Sequence, residues 1–259
     1  MKARECEALG PEGAEAISEI LNQVETELKW PAQVLLNLIV YLAKAGGGER
    51  PVTLSSALYR LYGKIRKPEM AAWTEKKAGF WDTAVKGSSA LKTALMREFW
   101  NEVCLEKGLE AAELLLDMEK FFDTLKPEIL APRAIELGYP PIFLYLGLLV
   151  HRAARVLKGD GTHSDPQIVQ QSILAGCVQS VDWTRAHLFD LLDDLHMAYR
   201  PTQIKSWVDD LALRAQGLAG TTAERVINAG KALMTGLVER GGRISPKTVI
   251  LGSSRKHEI

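Results

Sequence analysis

Hydrophobic residues recur every three or four positions over much of the chain, which is the spacing of one face of an α-helix. In residues 11–28 the apolar positions Ile17, Leu21 and Val24 share such a face, and Pro11 suits the first turn. The same spacing predicts further helices at residues 54–65, 88–107, 127–137, 141–157, 180–199 and 221–240.

Shorter apolar runs lie between these helices and are bounded by turn-forming residues, which is typical of buried strands. They predict strands at residues 34–43, 113–116, 204–208, 211–215 and 248–251. Residues 159–167 are polar and are expected to form a loop. Strands interrupted by long helices, with a hairpin late in the chain, indicate an α+β fold.

The chain carries 32 Lys and Arg and 32 Asp and Glu, so its formal net charge is zero. A neutral total argues mildly against nucleic-acid binding, which usually comes with a basic excess. Local distribution changes this picture, because residues 44–77 hold eight basic side chains against three acidic ones. A basic stretch of this kind can follow a phosphate backbone, although it could equally serve solubility.

The sequence contains no signal for export and no stretch long enough to span a membrane. Residues 1–13 lack the apolar segment of a signal peptide, and the longest apolar run, residues 141–150, is too short to cross a bilayer. The three cysteines are widely separated and match no zinc spacing. We therefore expect an intracellular protein without a membrane partner, and leave open whether it is nuclear or cytoplasmic.

Acidic residues follow two of the predicted strands. Asp117 ends the apolar run before it, and Asp209 and Asp210 lie between two apolar runs. Aspartate is common in turns, so each feature alone is more simply explained as a surface turn. Together they match the need of two-metal phosphoryl transfer for carboxylates from separate segments. Carboxylate oxygens are the ligands that Mg²⁺ prefers, so the pattern predicts a site for two Mg²⁺ or Mn²⁺ ions.

Several motifs occur in an order found in a known family. They are the glycine turn and Arg-Pro pair of residues 38–54, the segment around Gly79-Phe80, LLLDMEKFFDTLKPEIL at 114–130, SILAGCVQS at 172–180, WVDD at 207–210 and GLVERGGRISPKTVIL at 236–251. Over about residues 10–254 the chain resembles reverse transcriptases, the RNA-directed DNA polymerases of non-LTR retrotransposons and group II introns.

The resemblance implies roles for particular residues. Asp117 and Asp209 match the aspartates that bind both metal ions, and Asp210 is expected to assist them. Lys247 matches the lysine of the motif after the hairpin, with a possible general-acid role toward pyrophosphate. Further residues are expected to contact the nucleotide or the template: Arg50 at the triphosphate, Phe122 as the gate against a ribose 2′-hydroxyl, and Gly176, Ser180 and Trp207 in the positioning and hairpin motifs.

The resemblance also implies an architecture and a set of partners. One reverse transcriptase domain would occupy residues 1–259, with fingers at about 1–110, a palm with an antiparallel sheet packed against helices at about 111–259, and residues 140–170 returning to the fingers. The sequence shows no thumb helices, so a larger polyprotein with thumb and endonuclease segments is expected. The implied partners are an RNA template, a DNA primer or RNA–DNA hybrid, and deoxynucleoside triphosphates.

Departures from the family pattern keep other hypotheses open. Phe121 stands where a small residue is usual, Ala175 replaces a glutamine, and Trp207 replaces a tyrosine or phenylalanine. A decayed or domesticated domain that only binds nucleic acid or protein is therefore a second hypothesis. A third is an RNA-dependent RNA polymerase, against which Phe122 argues, because a ribonucleotide site needs room for the 2′-hydroxyl.

Overall fold

The computed structural model describes residues 9–43, 45–159, 161–218 and 220–253. It divides into two compact units. The first unit is built from the chain up to Trp73 and from Lys126–Asp182, and the second from Thr74–Leu125 and Trp183 onward. The expected bounds of fingers and palm, at about 1–110 and 111–259 with residues 140–170 returning to the fingers, stay a prediction. Lys44 and Cys6 lie outside the described residues.

A mixed four-stranded sheet forms the centre of the first unit. Its strand order is β2-β1-β4-β5, with β1 antiparallel to β2 and parallel to β4. The elements of this unit are α1 (Pro11–Glu27), β1 (Leu36–Ala43), β2 (Glu49–Leu54), α2 (Ala57–Ile65), α6 (Pro127–Glu136), α7 (Pro141–His151), β4 (Ala154–Gly159) and β5 (Thr162–His163).

The expected helix at 141–157 is wrong in its second half. Helix α7 ends at His151, and residues 154–159 form β4 instead. Tertiary pairing explains the difference, because Leu36–Val40 of β1 pairs with this segment residue by residue. An apolar run cannot by itself distinguish a buried helix from a buried strand.

Aromatic side chains form much of the core of the first unit. Trp30 is 1% exposed, and its indole N–H donates to the carbonyl of Leu146. The rings of Tyr59 and Tyr62 pack edge-on against it, with centroids 5.8 and 5.4 Å away. Asn37 ties β1 to α7 through a hydrogen bond to the carbonyl of Val150. These contacts join α2, β1 and α7 into one body.

The second unit contains an entirely antiparallel four-stranded sheet of order β6-β7-β3-β8. Its elements are α4 (Ala90–Glu106), β3 (Glu110–Leu116), a helical turn α5 (Phe121–Thr124), β6 (Gln203–Trp207), β7 (Asp210–Gly217), α9 (Thr222–Glu239) and β8 (Val249–Gly252). Two helices, α3 (Lys67–Lys77) and α8 (Ser180–Ala198), connect the units along the chain. An antiparallel sheet with helices confirms the expected α+β class.

Most predicted helix ends lie close to the observed ones. Helix α4 begins after Ser89, whose hydroxyl accepts a hydrogen bond from the backbone N–H of Lys92. It is followed by Gly108, which has a φ of 61° that favours glycine. Helix α3 was not predicted, because its polar sequence carries little apolar periodicity. Within the described residues, no helix combines the length and apolar character that crossing a bilayer requires.

Alternate residues of β3 face opposite sides of the sheet. Leu114 is 2% exposed and contacts α9, where a Cβ on Gly230 would lie 2.8 Å from its Cδ2 atom. Leu115 points to the other side and lines an open cleft. One face of the sheet is therefore closed by α9, and the other presents residues to solvent.

This division predicts unequal effects of truncating two neighbouring leucines. Leu114→Ala should lower the free energy of unfolding by about 2–5 kcal/mol, because it leaves a cavity against α9. Leu115→Ala should cost about 1 kcal/mol or less, because water already reaches this side chain. Urea unfolding followed by tryptophan fluorescence measures both. Equal losses for the two variants would contradict the two-faced sheet.

Candidate functional site

The strand register places two aspartates side by side. Leu116 of β3 pairs with Leu211 of β7, so the next row along the sheet holds Asp117 and Asp210. Asp210 also pairs with Trp207 across the β6–β7 hairpin. Residues in one row of neighbouring strands lie about 5 Å apart and share a face of the sheet. The register therefore brings carboxylates from remote segments of the sequence together.

Both carboxylates face a cleft of about 870 Å³ within the second unit. The open face of the sheet forms one wall, and α4 contributes Lys92, Met96 and Trp100 to another. Trp207 and Lys247 also line this cleft. We refer to it as the carboxylate cleft.

Asp209 and Asp117 both lie close enough to Asp210 for their charges to act on it. Burial raises the pKa of the Asp210 carboxyl above its ordinary value, and the negative charges of Asp209 and Asp117 raise it further. Like charges disfavour the ionised form of a neighbouring acid. A cation bound here would relieve this repulsion, and hard carboxylate oxygens suit Mg²⁺ or Mn²⁺.

The hairpin places the two adjacent aspartates differently at the cleft, and their metal roles stay predictions. Asp209 was expected to share both metals with Asp117, and Asp210 to assist. In the structure Asp210 begins β7 and lies in the row of Asp117, whereas Asp209 lies in the two-residue turn and is not among the residues that line the cleft. The reason is register, because a shift of one residue exchanges the side chain that faces the cleft.

The turn that carries Asp209 is strained. Val208 has a φ of 60°, a left-handed conformation that glycine adopts easily and β-branched residues avoid. Such positions cost about 1–3 kcal/mol and persist when surrounding structure enforces them. Here the ladder between Trp207 and Asp210 closes the turn on both sides.

Hydrogen bonds fix the backbone of Asp117 to the segment before β8. Its carbonyl accepts from the N–H of Ser245 at 2.9 Å and from the hydroxyl of Thr248 at 3.3 Å, and that hydroxyl also accepts from the N–H of Asp117 at 3.2 Å. Lys247 lies between these two anchors and is exposed at the cleft. Asp117 and Lys247 are therefore held on one local framework.

Several cleft residues were missed by the sequence prediction. They are Lys92, Arg97, Gln203, Lys205 and Arg214. Period-two alternation could have identified Lys205, because it shares a strand face with Trp207. The sequence could not have placed Arg97 and Arg214 at the cleft, because they come close to Glu113 only in the folded structure. Burial raises the pKa of Glu113, and these two cations offset part of that rise.

The two phenylalanines of the first palm motif do not follow strand alternation. They form a helical turn, α5, that begins after Lys120 in a left-handed conformation with a φ of 46°. Phe121 is 2% exposed and belongs to the core. Phe122 is half-buried and is not among the residues that line the carboxylate cleft. The gate role of Phe122 stays a prediction.

The remaining expected residues lie in the first unit. Arg50 is exposed on β2, opposite Leu42 of β1. Gly176 has a φ of 86° and open space around it, so the backbone there can be approached closely. Ser180 is 1% exposed and its hydroxyl donates to the carbonyl of Leu174, so in this structure it supports the loop. Their contacts with a nucleotide stay predictions.

No ready-made metal site is present in the part of the chain that the structure describes. Among those residues, no group of three or more His, Cys, Asp or Glu side chains is arranged to hold a metal ion. The exposed pair Asp193 and Asp194 on α8 faces solvent, as expected. Metal binding by Asp117, Asp209 and Asp210 is therefore a proposal that rests on donor chemistry and proximity.

Comparison with solved structures identifies the fold. The chain superposes on an apo telomerase from Candida tropicalis, truncated from its C-terminal domain, with a TM-score of 0.59 and 12% identity over 90% of this chain and 54% of that one. It also matches Candida tropicalis telomerase in complex with a TWJ fragment of telomeric RNA, with a TM-score of 0.61 and 12% identity over 93% and 45%. No family model matches, and a search of curated proteins finds no match.

These similarities show a fold like that of the telomerase chains, which is a reverse-transcriptase-like fold. The chain spans about half the length of the telomerase chains that it matches. At 12% identity the likeness concerns the fold alone, so activity, substrates and the type of element are matters for a proposal.

The strained turn predicts a stabilising substitution. Val208→Gly should raise the free energy of unfolding by about 1 kcal/mol, because relief of strain exceeds the added entropy of glycine in the unfolded chain. The melting temperature should rise by about 2–4 °C. Calorimetry measures it, and a fall in melting temperature would contradict the conformation described for Val208.

Charge repulsion at Asp210 predicts a pH-dependent stabilisation by Asp210→Asn. When the pKa of a carboxyl is higher in the folded than in the unfolded state, the free energy of unfolding falls as pH rises above the unfolded-state pKa, which is about 3.9 for aspartate. The variant should therefore melt higher than wild type near pH 7 without divalent ions, and the difference should shrink toward about pH 4. Asp193→Asn, on exposed α8, is the matched control and should show no such trend. A difference independent of pH would contradict the repulsion.

Proposed function

We propose that this chain is the fingers-and-palm core of an RNA-directed DNA polymerase, which adds deoxynucleotides to a primer 3′-end by two-metal nucleotidyl transfer. The observation that carries the proposal is the adjacent placement of Asp117 and Asp210 in one sheet row at an open cleft. This placement occurs within a reverse-transcriptase-like fold. The first unit would be the fingers and the second the palm.

In this proposal three aspartates hold the metal ions. Asp117 and Asp210 supply ligands from the cleft, and Asp209 supplies one from the turn beside them. Bound Mg²⁺ or Mn²⁺ ions would lower the pKa of the primer 3′-hydroxyl and neutralise charge on the leaving pyrophosphate. The raised pKa of Asp210 supports this assignment, because the crowded carboxylates favour a cation.

The cations of the cleft would hold the phosphates. Lys92, Arg97, Lys205, Arg214 and Lys247 line it against Glu113, Asp117 and Asp210. Lysine and arginine side chains bind the backbone of nucleic acid by displacing condensed counterions. Lys247, exposed beside Asp117, is placed to donate a hydrogen bond or a proton to the leaving pyrophosphate. Trp207 offers an aromatic face on which a base or sugar can pack.

Three further residues would act on the substrates according to the motifs that they belong to. Arg50 would neutralise the triphosphate, and its full exposure leaves the guanidinium available. Gly176 would let the backbone approach the template or the nucleotide. Phe122 would exclude ribonucleotides. These roles follow from the motifs that resemble those of reverse transcriptases.

The same motifs favour a retroelement of the non-LTR or group II intron type as the source of this polymerase. An RNA template, a DNA primer or RNA–DNA hybrid, and deoxynucleoside triphosphates would then be its partners. Thumb and endonuclease segments of a larger polyprotein would hold the product duplex and prepare the primer.

A second candidate function is nucleic-acid binding without catalysis. One observation favours it: among the described residues no group of three or more potential metal ligands has the arrangement of a metal site. The basic side chains of the cleft would serve such a module equally well. Divalent metal binding separates the two functions, because only the polymerase needs it.

Substitution of each aspartate tests the polymerase proposal. Asp117→Asn, Asp209→Asn and Asp210→Asn should each reduce primer extension on an RNA template by at least about 100-fold, since even indirect partners of a metal ligand contribute 10- to 100-fold. The fold should stay intact, because asparagine preserves volume. Primer extension by purified variants and circular dichroism measure the two properties.

Asp193→Asn provides the matched control, because it removes one charge from an exposed acidic pair. It should extend primers at the wild-type rate. Undiminished extension by Asp209→Asn or Asp210→Asn would defeat the proposed mechanism. Nucleic-acid binding by a wild-type chain that does not extend primers would favour the second function.

A further inference from the structure

A buried ion pair lies beside the hairpin that carries the aspartates. Arg185 of α8 donates through Nε to a carboxylate oxygen of Asp82, and their side chains are 2% and 4% exposed. Arg185 also donates to the hydroxyl of Thr74 at 3.2 Å and to the carbonyl of Ala84 at 3.3 Å. The other oxygen of Asp82 accepts from the N–H of Ala84 at 2.9 Å. The guanidinium thus holds the side chain of Asp82 and the backbone carbonyl of Ala84.

Residues 81–83 pair in turn with the free edge of β6. The N–H of Ser206 donates to the carbonyl of Trp81 at 2.8 Å, and the carbonyl of Ser206 accepts from the N–H of Thr83 at 2.8 Å. The hydroxyl of Thr83 donates to the same carbonyl at 2.7 Å. Asp82 forms a parallel bridge with Ser206. The ion pair therefore lies behind a short edge segment, residues 81–83, whose hydrogen bonds to β6 reach Ser206.

Ser206 lies two residues before Val208, the strained residue of the turn. Ser206 is followed by Trp207, Val208 and the two aspartates, and its own hydroxyl donates to the carbonyl of Val208 at 3.2 Å. A left-handed valine persists only where neighbouring structure enforces it. The edge segment supports one side of the turn, and the β6–β7 ladder supports the other.

We infer that Arg185 and Asp82 are positioning residues for the hairpin, which keep Asp209 and Asp210 in the orientation needed at the carboxylate cleft. They act through residues 81–83 and Ser206. This inference deepens the proposed polymerase function and rests on it for its kinetic consequence. Its structural part, the dependence of the Ser206 hydrogen bonds on the ion pair, is independent of any activity.

Burial explains why a charged pair is suited to this task. An unpaired charge in a dry environment is strongly disfavoured, so the partners are confined to one geometry. The planar guanidinium donates to Asp82, Thr74 and Ala84 in fixed directions, which a lysine cannot reproduce. A placement error of about 1 Å far from the reacting atoms can cost about 100-fold in rate.

Hydrogen exchange of the Ser206 amide tests the structural part. Arg185→Lys and Asp82→Asn should each speed exchange of this amide at least about 10-fold. Without the ion pair, residues 81–83 can separate from β6 by local opening, at a lower free energy than global unfolding. Thr83→Val, which removes only the hydroxyl bond to Ser206, should give a smaller change in the same direction and guards against misfolding of the buried variants. Leu192→Ala, a 0% exposed site on the same helix, controls for general loss of stability.

Steady-state primer extension tests the kinetic part. The three variants should lower kcat, by about 10- to 100-fold for Arg185→Lys, and raise the Mg²⁺ concentration for half-maximal rate, while KM for the primer–template changes less than about 2-fold. Leu192→Ala should leave the Mg²⁺ requirement unchanged. A purely structural pair would lower the melting temperature without moving the Mg²⁺ requirement, and that result overturns the inference.

The two proposals fail in different ways. Unchanged exchange at Ser206 in folded Arg185→Lys, Asp82→Asn and Thr83→Val overturns the positioning role whatever the activity. A wild-type chain that does not extend primers, while Ser206 exchange in the variants accelerates as expected, overturns the polymerase proposal and leaves the structural link standing.

Discussion

The antiparallel pairing of β3 with β7 is the constraint on which the rest of the candidate site depends. It brings Asp117 and Asp210 next to each other at the end of the β3–β7 ladder, so two like charges lie close together. The hairpin adds the negative charge of Asp209, and loss of solvation at Asp210 together with both neighbouring charges raises the pKa of its carboxyl. A divalent cation bound at the carboxylate cleft would compensate for this repulsion.

The framework around these carboxylates is rigid on each side. Asp117 is held through its backbone by Ser245 and Thr248, and β6 is held at Ser206 by residues 81–83. Helix α9 closes the opposite face of the sheet against Leu114. Because these side chains are already ordered in the folded protein, binding of a ligand does not have to supply the free energy of ordering them. The strained conformation of Val208 is likewise enforced by the structure that surrounds the turn.

Much of the fold follows from the sequence, because long helices carry strong apolar periodicity. Helices α8 and α9 and the β6–β7 hairpin were predicted within one or two residues at each end. Strand β4 was not, since only its pairing with β1 distinguishes it from a continuation of α7. The acidic segments were predicted to meet, yet which of Asp209 and Asp210 lines the cleft depends on a one-residue register that periodicity does not resolve.

Other parts of the site lie beyond any single-sequence argument. Arg185 looks like an ordinary helical arginine until the fold buries it against Asp82, more than 100 residues away in the chain. The helical turn that holds Phe121 and Phe122, and that begins after Lys120, is likewise not predicted by the apolar run before it. Long-range pairing, rather than local propensity, decides these positions.

Location of bound Mn²⁺ tests the central claim most directly, because its anomalous scattering identifies the ion independently of activity. In crystals of the wild-type chain soaked with Mn²⁺, the account predicts an anomalous peak within about 2.5 Å of carboxylate oxygens from both Asp117 and Asp210. Absence of a peak at saturating Mn²⁺, with both carboxylates in the row described here, would contradict it.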